Sequence, residues 1–175
     1  RPVDTSMGLT PLEGLVMGTR TGDIDPAVVL HLARSAGMGI DELDALLNRR
    51  SGMRGLTGHN DMREVHRLVA EGDEAARLGL DVYVHRLKKY VGAYTAVLGG
   101  LDVLTFTAGV GENDAEVRAR VAGGLDVLGI RVDPDRNAGG GDDVRRISPE
   151  GAPVDVLVVP TDEEITIAHE AVSLL

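Results

Sequence analysis

The chain has 175 residues, 43% of them hydrophobic and 26% charged, enough for one compact domain with a sizeable buried core. Lys and Arg number 18 against 28 Asp and Glu, a formal charge of −10, which argues against nucleic acid or an anionic membrane as partner, because both need a basic footprint. The absence of cysteine excludes a disulfide, a thiolate nucleophile and a Cys-built zinc site, and fits a reducing compartment.

Aliphatic runs such as Val156 to Val159 fall far short of the roughly 20 residues of a membrane helix. With one Phe, three Tyr and no Trp, the core must be built from Leu, Val, Ile and Ala.

Taken in order, residues 3–22 lack clear periodicity and are expected to form a short strand or turn and an ordered loop. Asp25-Pro26 then opens a helix, Asp25 as its cap and Pro26 in the first turn, and Gly37 and Gly39 stop it. A second helix is predicted over Asp41 to Asn48, and the glycine-rich stretch Ser51 to Asn60 reads as a loop. The pattern turns helical again from Asp61 to Ala70, with Met62, Val65, Leu68 and Val69 on one face. The longest helical pattern runs from Asp73 to Leu98 and ends at Gly99-Gly100; its length suits a central packing element or an oligomer contact.

The period then changes. Asp102 to Thr107 reads as a buried strand, Ala108 to Asn113 as a turn, and Asp114 to about Gly123 as a helix with Asn113 as cap and Glu116 in a capping-box position. Ile130 to Val132 is a short strand candidate, Gly139 to Asp143 a surface loop, Val154 to Pro160 a second buried strand, and Glu163 to about Ser173 a final helix. No internal repeat or interdomain linker stands out, and the order of elements assigns the α/β class.

Three segments carry chemical interest. Phe106 to Asn113 joins strand to helix through Gly109 and Gly111. Such a turn lets backbone approach a nucleotide at a helix N-terminus, and serves equally as a tight turn with no ligand. It is neither a dinucleotide fingerprint, since Asp114 stands where a third glycine belongs, nor a Walker A loop. Thr161-Asp162-Glu163-Glu164 follows the second strand, where a carboxylate can hold Mg²⁺ or simply complement the helix dipole. Arg20, flanked by Gly18 and Gly22, can meet phosphate bidentately or lie solvated on the surface. Asp61 reads as a helix cap, and the five histidines lack metal-binding spacing.

Together these segments resemble the acetate kinase family. Asp4 to Gly14 and Met17 to Pro26 resemble its central signature, Phe106 to Asn113 its adenosine motif F-T-A-G-I-G-E-N, and Thr161 to Ala168 its ending T-N-E-E-L-x-I-A. The motifs occur in the family's order and span Asp4 to Ala168.

The resemblance implies the actin-like, sugar-kinase and Hsp70-type α/β fold, with residues 1–175 as the C-terminal nucleotide-binding domain, short of its first part and of the N-terminal domain. It implies reversible, Mg²⁺-dependent phosphoryl transfer between ATP and acetate by a cytoplasmic homodimeric parent, the chain alone being inactive. Propionate kinases share these motifs, and a non-catalytic nucleotide-binding module of the same fold is a further alternative.

By position, Arg20 matches the arginine that stabilises the transferring phosphoryl group; Asp61, Met62 and Arg63 match a D-F-R triplet at the nucleotide site. Gly109, Val110, Gly111, Glu112 and Asn113 match the adenosine-binding turn, and Glu163 the Mg²⁺-associated glutamate. Met62 stands where the family has Phe, Asp162 where it commonly has Asn, and the loop Gly58-His59-Asn60 is one residue shorter than in many relatives.

Overall fold

The computed structural model of the chain describes residues 2–161 and 171–172. Of the predicted final helix only Ala171 and Val172, both helical, are among the described residues; Glu163 lies outside them. Where length alone suggests one domain, the chain divides into two compact units, 1–98 and 99–175, joined at Gly99-Gly100.

The first unit is helical. Helix α1 spans Pro26–Ser35, and Asp25 caps it as expected, its carboxylate accepting from the Ala27 N–H at 2.9 Å. Helix α2 spans Ile40–Arg49, with Leu43 buried. The expected loop 51–60 instead contains a short helix α3, Gly52–Thr57, and only its ends are irregular. Met53, 1% exposed, anchors this helix in the core, so tertiary burial overrides the poor helix propensity of Gly52 and Gly55. Helix α4, Met62–Ala70, and helix α5, Glu74–Leu98, follow the predicted patterns. The core of this unit gathers Val16, Leu43, Met53, Val65, Ala76, Leu80 and Val84. Along α5 the apolar stripe is buried only in its first half. Leu98 is 55% exposed, and the Tyr90 and Tyr94 rings meet at a tilt of 53° with a centroid distance of 5.5 Å.

Among the described residues the second unit is a three-stranded sheet with helices. Strand β1 is Val103–Phe106, helix α6 Ala108–Asn113 and helix α7 Ala115–Ala122. A 3-10 turn over Asp126–Leu128 and helix α8, Pro134–Ala138, precede strands β2, Arg145–Arg146, and β3, Asp155–Val158. The sheet order is β1-β3-β2, with β1 parallel and β2 antiparallel to β3.

The central strand β3 is buried as predicted, Val156 and Val158 pointing into a core with Val117, Val121, Ile130, Ile147 and Val154. Strand β1 departs from the prediction: among the described residues it lies at the sheet edge, and Val103 is 44% exposed. Apolarity marks a strand's type, but position in the sheet decides how far it is covered.

Three further expectations are corrected. Residues 108–113 form α6 and not a bare turn. The cap of α7 is Asp114, accepting from the Val117 N–H at 2.9 Å, whereas Asn113 belongs to α6 and donates back to the Gly109 carbonyl. Ile130 to Val132 is not a strand; the pairing goes to Arg145–Arg146, a two-residue strand too short to carry a periodic signal.

One close approach fixes how α3 lies on α5. A Cβ placed on Gly79 would stand 2.4 Å from Thr57 Cγ2. Thr57 is not free to turn away, because its Oγ1 donates to the Met53 carbonyl at 2.9 Å. Gly79→Ala should therefore destabilise the protein by about 1–3 kcal/mol through overpacking, outweighing a helix-propensity gain of about 0.5–1 kcal/mol. Adding Thr57→Ser, which removes Cγ2, should restore most of the loss in urea unfolding. A Gly79→Ala protein as stable as the parent would refute this account of the helix contact.

Candidate active site

The loop that carries Arg20 is held by helix ends. The last carbonyls of α2 and the first N–H groups of α3 have no partners within their own helices. The loop supplies them. Thr21 N–H donates to the Leu47 carbonyl at 3.1 Å and Thr19 Oγ1 to the Asn48 carbonyl at 2.9 Å. In the other direction, Ser51, Met53 and Arg54 N–H groups donate to the carbonyls of Thr19, Met17 and Gly18 at 3.0, 2.9 and 2.9 Å.

Gly52 makes this approach possible. Its φ is +61°, and a Cβ there would lie 2.2 Å from the Met17 oxygen and 2.6 Å from the Arg20 oxygen. The Arg20 backbone is thus fixed on both sides. Its half-buried guanidinium has Nη1 at 3.8 Å from Met17 Sδ, and no carboxylate pairs with it among the described residues. A guanidinium held by its backbone and uncommitted to an acid suits an incoming oxyanion.

The second predicted group is its neighbour. Gly18, two residues before Arg20, sits against Asn60, the residue before Asp61. Asp61 caps α4, accepting from the Arg63 N–H at 2.9 Å, and also takes the Arg63 side chain, Nε at 3.0 Å and Nη2 at 2.5 Å from its two oxygens. The Arg63 hydrogen bonds hold the Asp61 carboxyl down at about 2. Paired on one edge, Arg63 still leaves its side chain 92% exposed, while Met62 is half-buried.

The third group, Gly109 to Asn113, lies in the other unit as helix α6 after β1. Ala108 opens it at φ +58°, a left-handed value rare outside glycine and asparagine. Thr161, following β3, donates to Glu112 Oε1 from both its N–H, at 3.0 Å, and its Oγ1, at 2.9 Å, which lowers the Glu112 carboxyl below the usual range. The glycine turn and the start of the Thr161 motif are thereby tied across the C-terminal ends of two adjacent parallel strands, the end where such sheets place ligand groups.

Two arrangements escaped the sequence reading. Arg118, 2% exposed, donates to the Gly111 and Glu112 carbonyls at 2.9 and 2.8 Å, and to the Oδ1 and backbone oxygen of Asn137 at 2.7 and 2.8 Å. It closes the C-terminal end of α6, and burial pushes its pKa below the ordinary arginine value. Its signal was legible: with Val117, Val121 and Ala122 it occupies the buried face of α7, where an arginine needs a polar partner. The other arrangement, Arg86 and Tyr90 on Asp23, joins residues more than 60 positions apart and leaves no local trace.

The whole-chain comparisons agree. The acetokinase family model matches residues 1–169. The chain belongs to the acetokinase family. It is 67% identical over 171 residues to an acetate kinase of Leifsonia xyli and 62% identical over 175 residues to one of Streptomyces avermitilis. Those alignments take in 98% and 100% of the chain and 43% of each relative. A crystal structure of Porphyromonas gingivalis acetate kinase matches 96% of the chain at a TM-score of 0.90 with 43% identity, the match covering 42% of that structure. A propionate kinase structure from Francisella tularensis matches 96% of the chain at 0.89 with 42% identity, covering 43% of that chain. The chain thus takes part of the actin-like α/β fold of the acetokinase family and spans less than half the length of these relatives. No helix among the described residues is long and apolar enough to cross a membrane.

The Asp61–Arg63 pair has a pH signature. Asp61 titrates at about 2 in the folded protein, below the value of about 3.9 in an unfolded chain. Its contribution to stability is complete above about pH 4 and lost as pH falls through 2. Carbon-13 NMR of the Asp61 carboxyl should give a midpoint near 2, and Arg63→Ala should raise it. A midpoint near 4 in the parent would show that the pair does not persist in solution.

Proposed function

We propose that the chain is the C-terminal nucleotide-binding portion of an acetate kinase, a cytoplasmic homodimer that transfers a phosphoryl group reversibly between ATP and acetate. The observation that carries this reading is the Arg20 loop: a guanidinium fixed through its backbone by two helix ends and unpaired by any acid among the described residues.

In the forward direction an acetate oxygen bonds to the γ-phosphorus as the bond from that phosphorus to the β-bridging oxygen breaks, and ADP leaves with the electron pair. The attacking oxygen is already anionic, so no general base is required; positioning and charge neutralisation supply the rate. Arg20 meets the equatorial oxygens, whose shared charge a planar, always protonated donor matches. Asp61 orients Arg63, whose exposed guanidinium offers a flat cationic face to the adenine. By the family resemblance alone, Met62 and, in the second unit, Gly109, Val110, Gly111, Glu112 and Asn113 are assigned to nucleotide binding.

Among the described residues no three His or acidic side chains gather to hold a metal. Glu163, which matches the family's Mg²⁺-associated glutamate by position, would hold or orient the ion together with the nucleotide's phosphates, since Mg²⁺ is usually bound by one or two carboxylates plus substrate phosphates. Bound there, Mg²⁺ would neutralise phosphate charge. Propionate is the second acceptor to weigh, because a propionate kinase structure matches the chain as well as the acetate kinase does. Steady-state assays of the full-length enzyme with acetate, propionate and butyrate test the assignment: acetate is expected to give the highest kcat/KM, and a clear preference for propionate would overturn it.

Arg20→Ala should lower kcat by at least about 100-fold with little change in the KM for ATP, because the contact strengthens in the transition state. Normal turnover would remove Arg20 from the mechanism. Glu163→Gln should shift the Mg²⁺ titration of activity to higher concentration. An unmoved titration would reduce Glu163 to a dipole-complementing residue worth about 0.3–1 kcal/mol.

A further inference from the structure

The loop bearing Arg20 has a neck as well as a tip. At the tip it is bonded to α2 and α3. At the neck Gly14 and Asp23 close on one another: Asp23 N–H donates to the Gly14 carbonyl at 2.9 Å, and Gly14 N–H donates to Asp23 Oδ1 at 2.8 Å.

The other face of the same aspartate is taken by α5. Arg86 Nη1 and Tyr90 Oη both donate to Asp23 Oδ2 at 2.8 Å, and Arg86 Nη2 donates to the Asp23 backbone oxygen at 3.1 Å. Arg86 and Tyr90 are one helical turn apart, so both reach the same oxygen from one face of α5. The Arg86 side chain is 22% exposed and that of Asp23 34%, which leaves the ion pair better shielded than a surface pair. Burial works against the Asp23 charge, yet Tyr90, the Gly14 N–H and Arg86 together hold its carboxyl below the usual range. Burial and the Asp23 hydrogen bond push the Tyr90 hydroxyl up to about 12, so it remains a donor throughout the working pH range.

We propose that Arg86 and Tyr90 are positioning residues for Arg20, acting through Asp23 to fix the neck of the loop that presents it. A loop of ten residues anchored at both tip and neck has little freedom; released at the neck, it keeps only its bonds to α2 and α3, and the segment that sets the direction of Arg20 loses one of its two constraints. Displacement of a reacting or stabilising group by about 1 Å can cost about 100-fold in rate. The inference rests on the role proposed above for Arg20 and goes beyond it by naming what holds that residue in place.

The test uses the full-length enzyme. Arg86→Met should lower kcat by about 10- to 100-fold, with the KM for ATP within about twofold of the parent. Arg86→Lys, which can return one donor to Oδ2, should recover part of the loss. Tyr90→Phe should cost less than 10-fold.

The deciding measurement is the double variant. If Arg86 acts through Arg20, then Arg86→Met should cause no further fall in kcat once Arg20 is Ala. Multiplicative losses would show that Arg86 acts elsewhere and would overturn the proposal, as would an Arg86→Met enzyme with normal turnover. Should Arg86→Met fail to fold, the proposal is judged on Arg86→Lys and Tyr90→Phe, and unchanged kcat in both would sink it. An Arg20→Ala enzyme of normal activity would instead bring down the reading of Arg20 itself. That outcome is distinct from an impaired Arg20→Ala beside an unimpaired Arg86→Met, which removes only the positioning role.

Discussion

A side chain can be placed no more accurately than the backbone that bears it, and the backbone around Arg20 belongs to no strand or helix. Its amide groups must find partners or lie in water. The structure satisfies them with groups that are themselves short of partners, the final carbonyls of α2 and the opening N–H groups of α3. Each side completes the other. Loop and helix ends therefore form one hydrogen-bonded unit, in which the glycine at position 52 is the steric condition for contact. Helix α5 serves the same end: it packs against α3 and α4 and reaches the loop's neck from its middle.

The second unit solves a different problem with different means. A short helix after β1 would fray at its C-terminal end, where carbonyls point out without acceptor partners. Arg118 meets two of them from inside the core, and Asn137 holds the arginine in turn. From the outside, Thr161 reaches Glu112. The glycine turn is thus braced on two sides although its own sequence is among the most permissive in the chain.

How much of this could be read from sequence depended on whether the cause was local. Helices α1 and α4 announce themselves through Asp25 and Asp61, caps that act within three residues. The buried strand β3 shows in its run of valines. The glycine-rich stretches misled: Ser51 to Asn60 and Ala108 to Asn113 read as loop and turn, whereas Met53 burial and the Arg118 contacts hold helices there. The cap of α7 slipped by one residue because Asn113 and Asp114 are both good caps, and only packing chooses between them.

The site divides the same way. Arg20, Asp61 and the residues Gly109 to Asn113 stand in contiguous motifs and could be picked out by pattern and resemblance. The network on Asp23 could not, since Arg86 and Tyr90 join it across 63 and 67 positions of chain. Nor does one strand's composition reveal its place in a sheet: β1 reads as buried, yet among the described residues it pairs on one side alone.

The burial of Arg118 also bears on how this sequence can drift. Arginine and lysine exchange readily on protein surfaces, where a positive charge on a long stem is all that is asked. Here the requirement is a planar fork delivering four hydrogen bonds to three residues, with two of those bonds going to Asn137 alone. A lysine has neither the geometry nor the number of directed donors, and it would carry its charge into the core with fewer partners. Position 118 is therefore closed to the commonest conservative exchange, and position 137 is bound to it: lineages of this fold should either keep the arginine and asparagine together or replace them together by an apolar pair.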